Sequence, residues 1–197
     1  GEGLNLYDRK SGKFIRFKND SRPRNYISSN HILSIQEDRK GNLWIGTDGG
    51  GLNKFNEADQ SFSVFTTTVG SYATGSEKLS NNSVTSIWED GNGLLWIGTN
   101  SGLNCFDPVK RENKTYFSEN GLANDAIGAV LGDREGHLWI STNKGISKLT
   151  IPTGHFENFT MADGLQADEF KYAKCMDHEG RIYFGGRNGF NVFSPDK

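Results

Sequence analysis

The sequence predicts an all-β fold: a β-propeller of four-stranded antiparallel blades, about four of them present, as a fragment of a larger ring. Three observations predict it. The phrase GNLWIGTDGGGLNKFN at 41–56 returns as GLLWIGTNSGLNCF at 93–106, GHLWISTNKGISKL at 136–149 and GRIYFGGRNGFNVF at 180–193, after a partial copy, GLNLY, at 3–7. The aromatic of the phrase (Trp44, Trp96, Trp139, Tyr183) recurs after 52, 43 and 44 residues, close to the period of a four-stranded blade. Gly supplies 25 of the 197 residues and Pro only 4, a balance that suits short strands joined by tight turns.

Each unit reads as four strands, a to d. Strand a is ILSIQED, SVTSIWED, AIGAVLGD or FKYAKCMD. An Asp (38, 90, 133, 177) closes it, and a Gly (41, 93, 136, 180) stands three residues on. The Asp side chain can bond the turn backbone, and the Gly accepts the positive φ that a hairpin with a bulge requires. Strand b is LWIGT and its relatives, strand c is GLNKF and its relatives, and strand d is FIRF, FSVF, TYF or HFENF. Strands b and c are apolar on both faces, as Leu43 and Ile45 against Trp44 show, so the sheets should be covered on both sides. Neighbouring blades provide that cover, with the Trp filling the layer between them.

On this reading the chain divides into strands c and d of a partial blade (1–18), complete blades at 30–66, 82–118 and 125–160, and a partial closing blade at 168–194. The first strand c (Leu4 to Tyr7) and the last (Phe190 to Phe193) then lack partners. Open strand edges and uncovered blade faces favour self-association. The alternative is internal closure, with the Phe14–Phe17 strand laid beside Phe190–Phe193.

Composition excludes some classes. A formal charge of −2 gives no electrostatic footprint for nucleic acid, and no apolar run has the length of a membrane span. Cys105 and Cys175 occupy non-equivalent repeat positions and read as two separate buried thiols rather than a redox pair. The chain opens in mid-motif and is expected to be cut from a longer protein.

The wording D-x-x-G-x-L-W-I-G-T-x-x-G-L-N-x-F resembles the two-component regulator propeller repeat over essentially the whole chain. The last copy, GLQADEFKYAKCMDHEGRIYFGGRNGFNVFSP, resembles the closing repeat of such arrays. The resemblance implies the periplasmic sensor region of a hybrid two-component system of the kind found in gut Bacteroidetes. It also implies an oligosaccharide ligand, control of glycan-utilisation genes, and a membrane link only through parent segments outside this chain, with the receptor as a dimer. His137 in place of Asn42, Ser141 in place of Gly46 and Gly98, and the Gly49–Gly51 run depart from the pattern at turn and packing positions. The insertion VGSYATGSEKLSNN accounts for the long first spacing.

Catalytic signals are weak. His31, His137, His155 and His178 stand at no metal-ligand spacing from one another. No nucleophile elbow, phosphate loop or calcium loop is spelled. No catalytic residue, metal or cofactor is therefore expected. The d–a and b–c loops emerge on one face, where residues that do not repeat could converge. The d–a candidates are Arg22, Arg24, Tyr26 and Asn30; Tyr72, Asn81 and Asn82; Asn124 and Asp125; and Asp168 with Glu169. The b–c candidates are Asp48, Asn100, Asn143 and Arg187. Amides, carboxylates and Arg beside Tyr suit sugar hydroxyls and a flat sugar face. Two functions stay open: a non-enzymatic glycan-sensing module, and a propeller lyase or glycosidase acting on a glycan or cyclic peptide.

Overall fold

A computed structural model describes residues 3–20, 26–68 and 77–195. Strands β1 (Leu4–Asp8) and β2 (Lys13–Phe17) form an N-terminal hairpin. Blade 1 follows with β3 (Ile32–Glu37), β4 (Leu43–Thr47), β5 (Leu52–Asn56) and β6 (Ser61–Phe65). Blade 2 is β7 (Val84–Glu89), β8 (Leu95–Thr99), β9 (Leu103–Asp107) and β10 (Glu112–Tyr116). Blade 3 is β11 (Ile127–Gly132), β12 (His137–Thr142), β13 (Gly145–Thr150) and β14 (His155–Phe159). Blade 4 stops at three strands, β15 (Phe170–Met176), β16 (Ile182–Gly186) and β17 (Gly189–Phe193). Every pairing is antiparallel between strands consecutive in sequence, and two short 3-10 turns, Ser118–Asn120 and Met161–Asp163, are the only helical elements among the described residues.

The register repeats as the phrase does. Ile35 pairs Ile45, Ile87 pairs Ile97 and Val130 pairs Ile140. Each strand a also carries an irregularity near its start, between Ile32 and Ser34, Val84 and Ser86, Ile127 and Ala129, and Phe170 and Lys174.

The core lies between blades. Trp44, Leu52 and Phe65 of blade 1 pack on Val84, Ile87, Leu95, Ile97 and Phe106 of blade 2. Trp96 and Leu103 meet Ile127, Val130, Leu138 and Ile140 of blade 3. Trp139 and Ile146 meet Phe170, Ile182 and Phe184 of blade 4. The three indoles retain 1%, 2% and 6% of their surface, so each blade presents its Trp to the next as the shared offset predicts. Close approach fixes the Gly of the b strand. A Cβ on Gly98 would lie 2.6 Å from Ile127 Cγ2.

Blade 3 replaces that Gly with Ser141. Ser141 pairs Ala129, and its hydroxyl accepts the Ala129 N–H at 2.9 Å. The adjacent strand residue is Gly128, which leaves room for the hydroxyl.

Two expectations change. Cys105 is half-buried, and burial pushes its thiol up to about 11. Cys175 is exposed rather than buried, because among the described residues no following blade packs on β15 as β11 packs on β7. Internal closure is not formed among the described residues either: β2 pairs with β1, and β17 pairs with β16.

Candidate functional site

Two ends of each blade must be told apart. At the a–b end the repeated Asp serves its own turn. Asp38 Oδ1 accepts the N–H groups of Lys40 (3.0 Å) and Asn42 (2.8 Å), while Oδ2 accepts the indole N–H of Trp44 at 2.9 Å. Asp90 and Asp133 hold Trp96 (3.1 Å) and Trp139 (2.9 Å) in the same way, and Asp177 takes the Tyr183 hydroxyl at 3.1 Å. Burial works against the Asp38 carboxylate, yet the bonds from Trp44 and Asn42 outweigh it and hold the group below the usual range. Asp133 behaves alike through Trp139 and His137. Desolvation is the largest single effect on Asp177 and pushes it up, but the bonds from Arg181 and Tyr183 together outweigh it and bring the carboxyl to about 2. Arg39 of blade 1 clasps the Glu89 carboxylate and the Asp90 carbonyl of blade 2, and Arg134 donates to the His178 carbonyl at 2.7 Å. These groups are occupied by architecture.

The opposite end is a belt in which b–c turns and d–a loops interlock. The Thr of strand b closes each turn: Thr47, Thr99 and Thr142 hydroxyls donate to the Gly51, Gly102 and Gly145 carbonyls. Those same glycines donate their N–H at 2.7 Å to the carbonyls of Asn82, Asp125 and Asp168 in the next d–a loop. Each b–c turn therefore rests on the loop that leads to the following blade.

Four predicted residues thus share one position. Asn30, Asn82, Asp125 and Asp168 each turn a side-chain oxygen onto the N–H that opens their own loop, those of Asn19, Thr67, Ser118 and Met161, at 2.6 to 2.8 Å. Asn81 and Asn124 accept the N–H two residues on, from Ser83 and Ala126. Position by position these side chains staple the loops. Spacing did not show this, because donor and acceptor lie up to 15 residues apart.

The b–c residues behave differently. Asp48, Asn100, Asn143 and Arg187 occupy one equivalent place, where each donates its N–H to the lead-in of strand a, at the carbonyls of His31, Ser83, Ala126 and Glu169. The backbone is fixed while all four residues are exposed. Asp48 accepts the Ser83 hydroxyl at 2.6 Å. Arg187 pairs with Glu169 at 3.2 Å, and Glu169 also meets Lys171 at 2.6 Å. The Lys171 ammonium, then Arg187, holds the Glu169 carboxyl below its usual range. Tyr26 is exposed on the d–a loop of blade 1. Arg22, Arg24 and Tyr72 lie outside the described residues.

Sequence patterns also missed two groups. Asn53 and Asn104 of the GLN phrase bridge to Ser28 and Ser80 at 2.7 and 2.8 Å, tying strand c to the loop 24 or 25 residues away. Lys174 of β15 buries its ammonium against Ser86 Oγ (2.8 Å), Ile87 O (2.9 Å) and Val130 O (2.8 Å), so one side chain binds blades 2, 3 and 4. Burial brings its pKa down to about 8. Among the described residues no group of three or more His, Cys, Asp or Glu could hold a metal ion, and no helix is long and apolar enough to cross a membrane.

Residues 26–49, 78–101 and 121–144 match the two component regulator propeller family. Each matched segment runs from a d–a loop to a b–c turn and so contains one sector of the belt. Among solved structures, the extracellular domain of BT3049, described as a hybrid two component system protein of B. thetaiotaomicron, is 29% identical with a TM-score of 0.80, over 98% of this chain and 25% of that one. The extracellular domain of BT4673 from the same organism is 25% identical with a TM-score of 0.78, over 96% of this chain and 26% of that one. The chain spans about a quarter of the length of these relatives. Virginiamycin B lyase from Staphylococcus aureus, 12% identical with a TM-score of 0.66 over 98% of this chain and 63% of that one, shares the fold alone. No curated protein matches.

Proposed function

We propose that this chain is a ligand-sensing segment of a periplasmic receptor, that its ligand is an oligosaccharide, and that it catalyses no reaction; the match of three of its segments to the two component regulator propeller family and its likeness to extracellular domains of hybrid two component systems support the reading. Signalling then belongs to the kinase of the parent receptor, which switches genes for glycan use.

One observation carries the reading. The turn that presents Asp48, Asn100, Asn143 and Arg187 anchors its backbone N–H to the lead-in of strand a in all four blades, while the side chain it exposes changes from Asp to Asn, Asn and Arg. A repeat array acquires specificity in this way, by varying a side chain on a backbone that does not vary. The four groups offer a carboxylate, two amides and a guanidinium, which pair with sugar hydroxyls as acceptors and donors. Exposed Tyr26 adds an aromatic face for stacking.

The test is incubation of the protein with pools of plant and host oligosaccharides, followed by melting curves and product analysis. The reading predicts that at least one pool raises the melting temperature, as binding to the folded state must, with no new sugar ends released. Release of product would transfer the chain to the enzyme class instead.

A further inference from the structure

An arginine clasps the a–b hairpins of neighbouring blades at two interfaces, and the interface between those two lacks it. Arg39, the residue after Asp38, reaches from blade 1 to the Glu89 carboxylate of blade 2 at 3.2 Å, and to the carbonyls of Asp90 and, at 3.3 Å, Gly91. Arg134, the residue after Asp133, reaches from blade 3 to the His178 carbonyl of blade 4 at 2.7 Å. Blade 2 has Gly91 at this place, directly after Asp90. From that position no side chain can cross to blade 3.

A cavity of about 370 Å³ opens there, walled by Trp88, Gly91, Asp133, Glu135, Ile151 and Pro152. Its chemistry suits the group that is missing. The carbonyls of Asp133 and Arg134 correspond, residue for residue, to those of Asp90 and Gly91 that accept from Arg39. The place of Glu89 is taken by Gly132, where a Cβ would collide with the Trp88 ring, so an indole stands in for the carboxylate. A guanidinium is drawn to an indole as well as to a carboxylate. Glu135, exposed beside His137, supplies an opposite charge. The other charged groups are committed elsewhere: Asp90 to Trp96, Asp133 to Trp139, and the Arg134 guanidinium to His178.

We propose that this cleft is a guanidinium-binding site, taking an arginine from outside the chain where Arg39 and Arg134 serve from within at the flanking interfaces. The carbonyls of Asp133 and Arg134 accept its N–H groups, Trp88 lies against the planar cation, and Glu135 balances its charge. A lysine fits less well, because its ammonium is a strongly hydrated point charge without a planar fork of donors. The site lies at the hairpin end, opposite the belt that carries Asp48, Asn100, Asn143 and Arg187, and so does not depend on the oligosaccharide reading.

Gly91 itself supplies the test. Its backbone lies outside the left-handed region, and a Cβ there would meet nothing within 4 Å, so larger residues fit. The isotope-labelled 197-residue protein is titrated with free arginine and with the blocked peptides Gly-Arg-Gly and Gly-Lys-Gly. The indole N–H signals of its four tryptophans are followed by NMR, with Trp88→Phe identifying the Trp88 signal. That signal should shift saturably with arginine, half-saturating on the order of 1 mM, and at least ~5-fold more weakly with the lysine peptide. Gly91→Ala should respond as wild type does. Gly91→Arg should abolish the shift and raise the melting temperature, because it provides the guanidinium from within. Free arginine binding as tightly as the peptide assigns the site to a small ligand, whereas tighter binding of the peptide assigns it to a partner chain. No saturable Trp88 shift with either arginine source, an equal response to lysine, or an unchanged response in Gly91→Arg overturns the proposal.

Discussion

Asp38 Oδ2 accepts the indole N–H of Trp44 at 2.9 Å, and the ring it fixes is 1% exposed. The six-residue offset between them, repeated in every blade, is the distance across one hairpin turn. The carboxylate closes the turn with one oxygen and aims the aromatic at the next blade with the other. A buried indole N–H without an acceptor would carry a desolvation cost, so the Asp and the aromatic are kept as a pair.

Asp38→Ala removes the acceptor for Trp44 and for two backbone N–H groups, and should lower stability by ~1–3 kcal/mol in urea denaturation. Trp96→Ala, which empties the space beneath blade 3, should cost ~3–5 kcal/mol. Acid adds a check of sign. Asp38, Asp133 and Asp177 have carboxyls held below the ordinary 3.8. Their stabilisation is present above that value and is lost as pH falls through the folded-state values. The gap between wild type and Asp38→Asn should accordingly narrow below about pH 4.

Gly98→Ala should destabilise by ~1–3 kcal/mol, the range for overpacking a filled core, since its Cβ would press on Ile127 Cγ2 at 2.6 Å. Ser141→Gly in blade 3 should relieve no strain and should cost the bond to Ala129 N–H. Melting curves of the two variants check the contrast.

Lys174 gives a prediction at alkaline pH. Its folded-state pKa of about 8 lies below the ordinary 10.5, so between these values the unfolded chain holds more protons than the folded one. Stability should therefore rise with pH across that window, by up to about 1.4 kcal/mol per pH unit from this group. Lys174→Met should lose that slope. Chemical denaturation of both proteins from pH 7 to 10.5 isolates it from the titration of Cys105 and Tyr183.

What the sequence made legible was whatever the chain encodes locally. The Asp–Trp offset, the Gly three residues after the Asp and the apolar faces of strand b all lie within one hairpin, and they specify the blade. The Asn53–Ser28 bridge and the staples at Asn30, Asn82, Asp125 and Asp168 depend on loops brought together by folding. In sequence those four residues look the same as ligand-binding amides and carboxylates. What separates them from Asp48, Asn100, Asn143 and Arg187 is that their side chains accept the backbone N–H that opens their own loop, whereas the latter four are exposed. Lys174 gave no signal, because its partners belong to strands 44 and 88 residues away. Cys175 misled because a strand residue was assumed to have a blade on both sides.

The central claim is that the repeated residues build the propeller and the varied b–c residues recognise the ligand. The most direct measurement is calorimetric titration of a stabilising oligosaccharide into wild type and into the variant Asp48→Ala, Asn100→Ala, Asn143→Ala, Arg187→Ala. With each lost hydrogen bond worth ~0.5–1.5 kcal/mol, affinity should fall at least ~30-fold while the melting temperature of the free protein stays near that of wild type. Undiminished affinity in the fourfold variant would contradict the account.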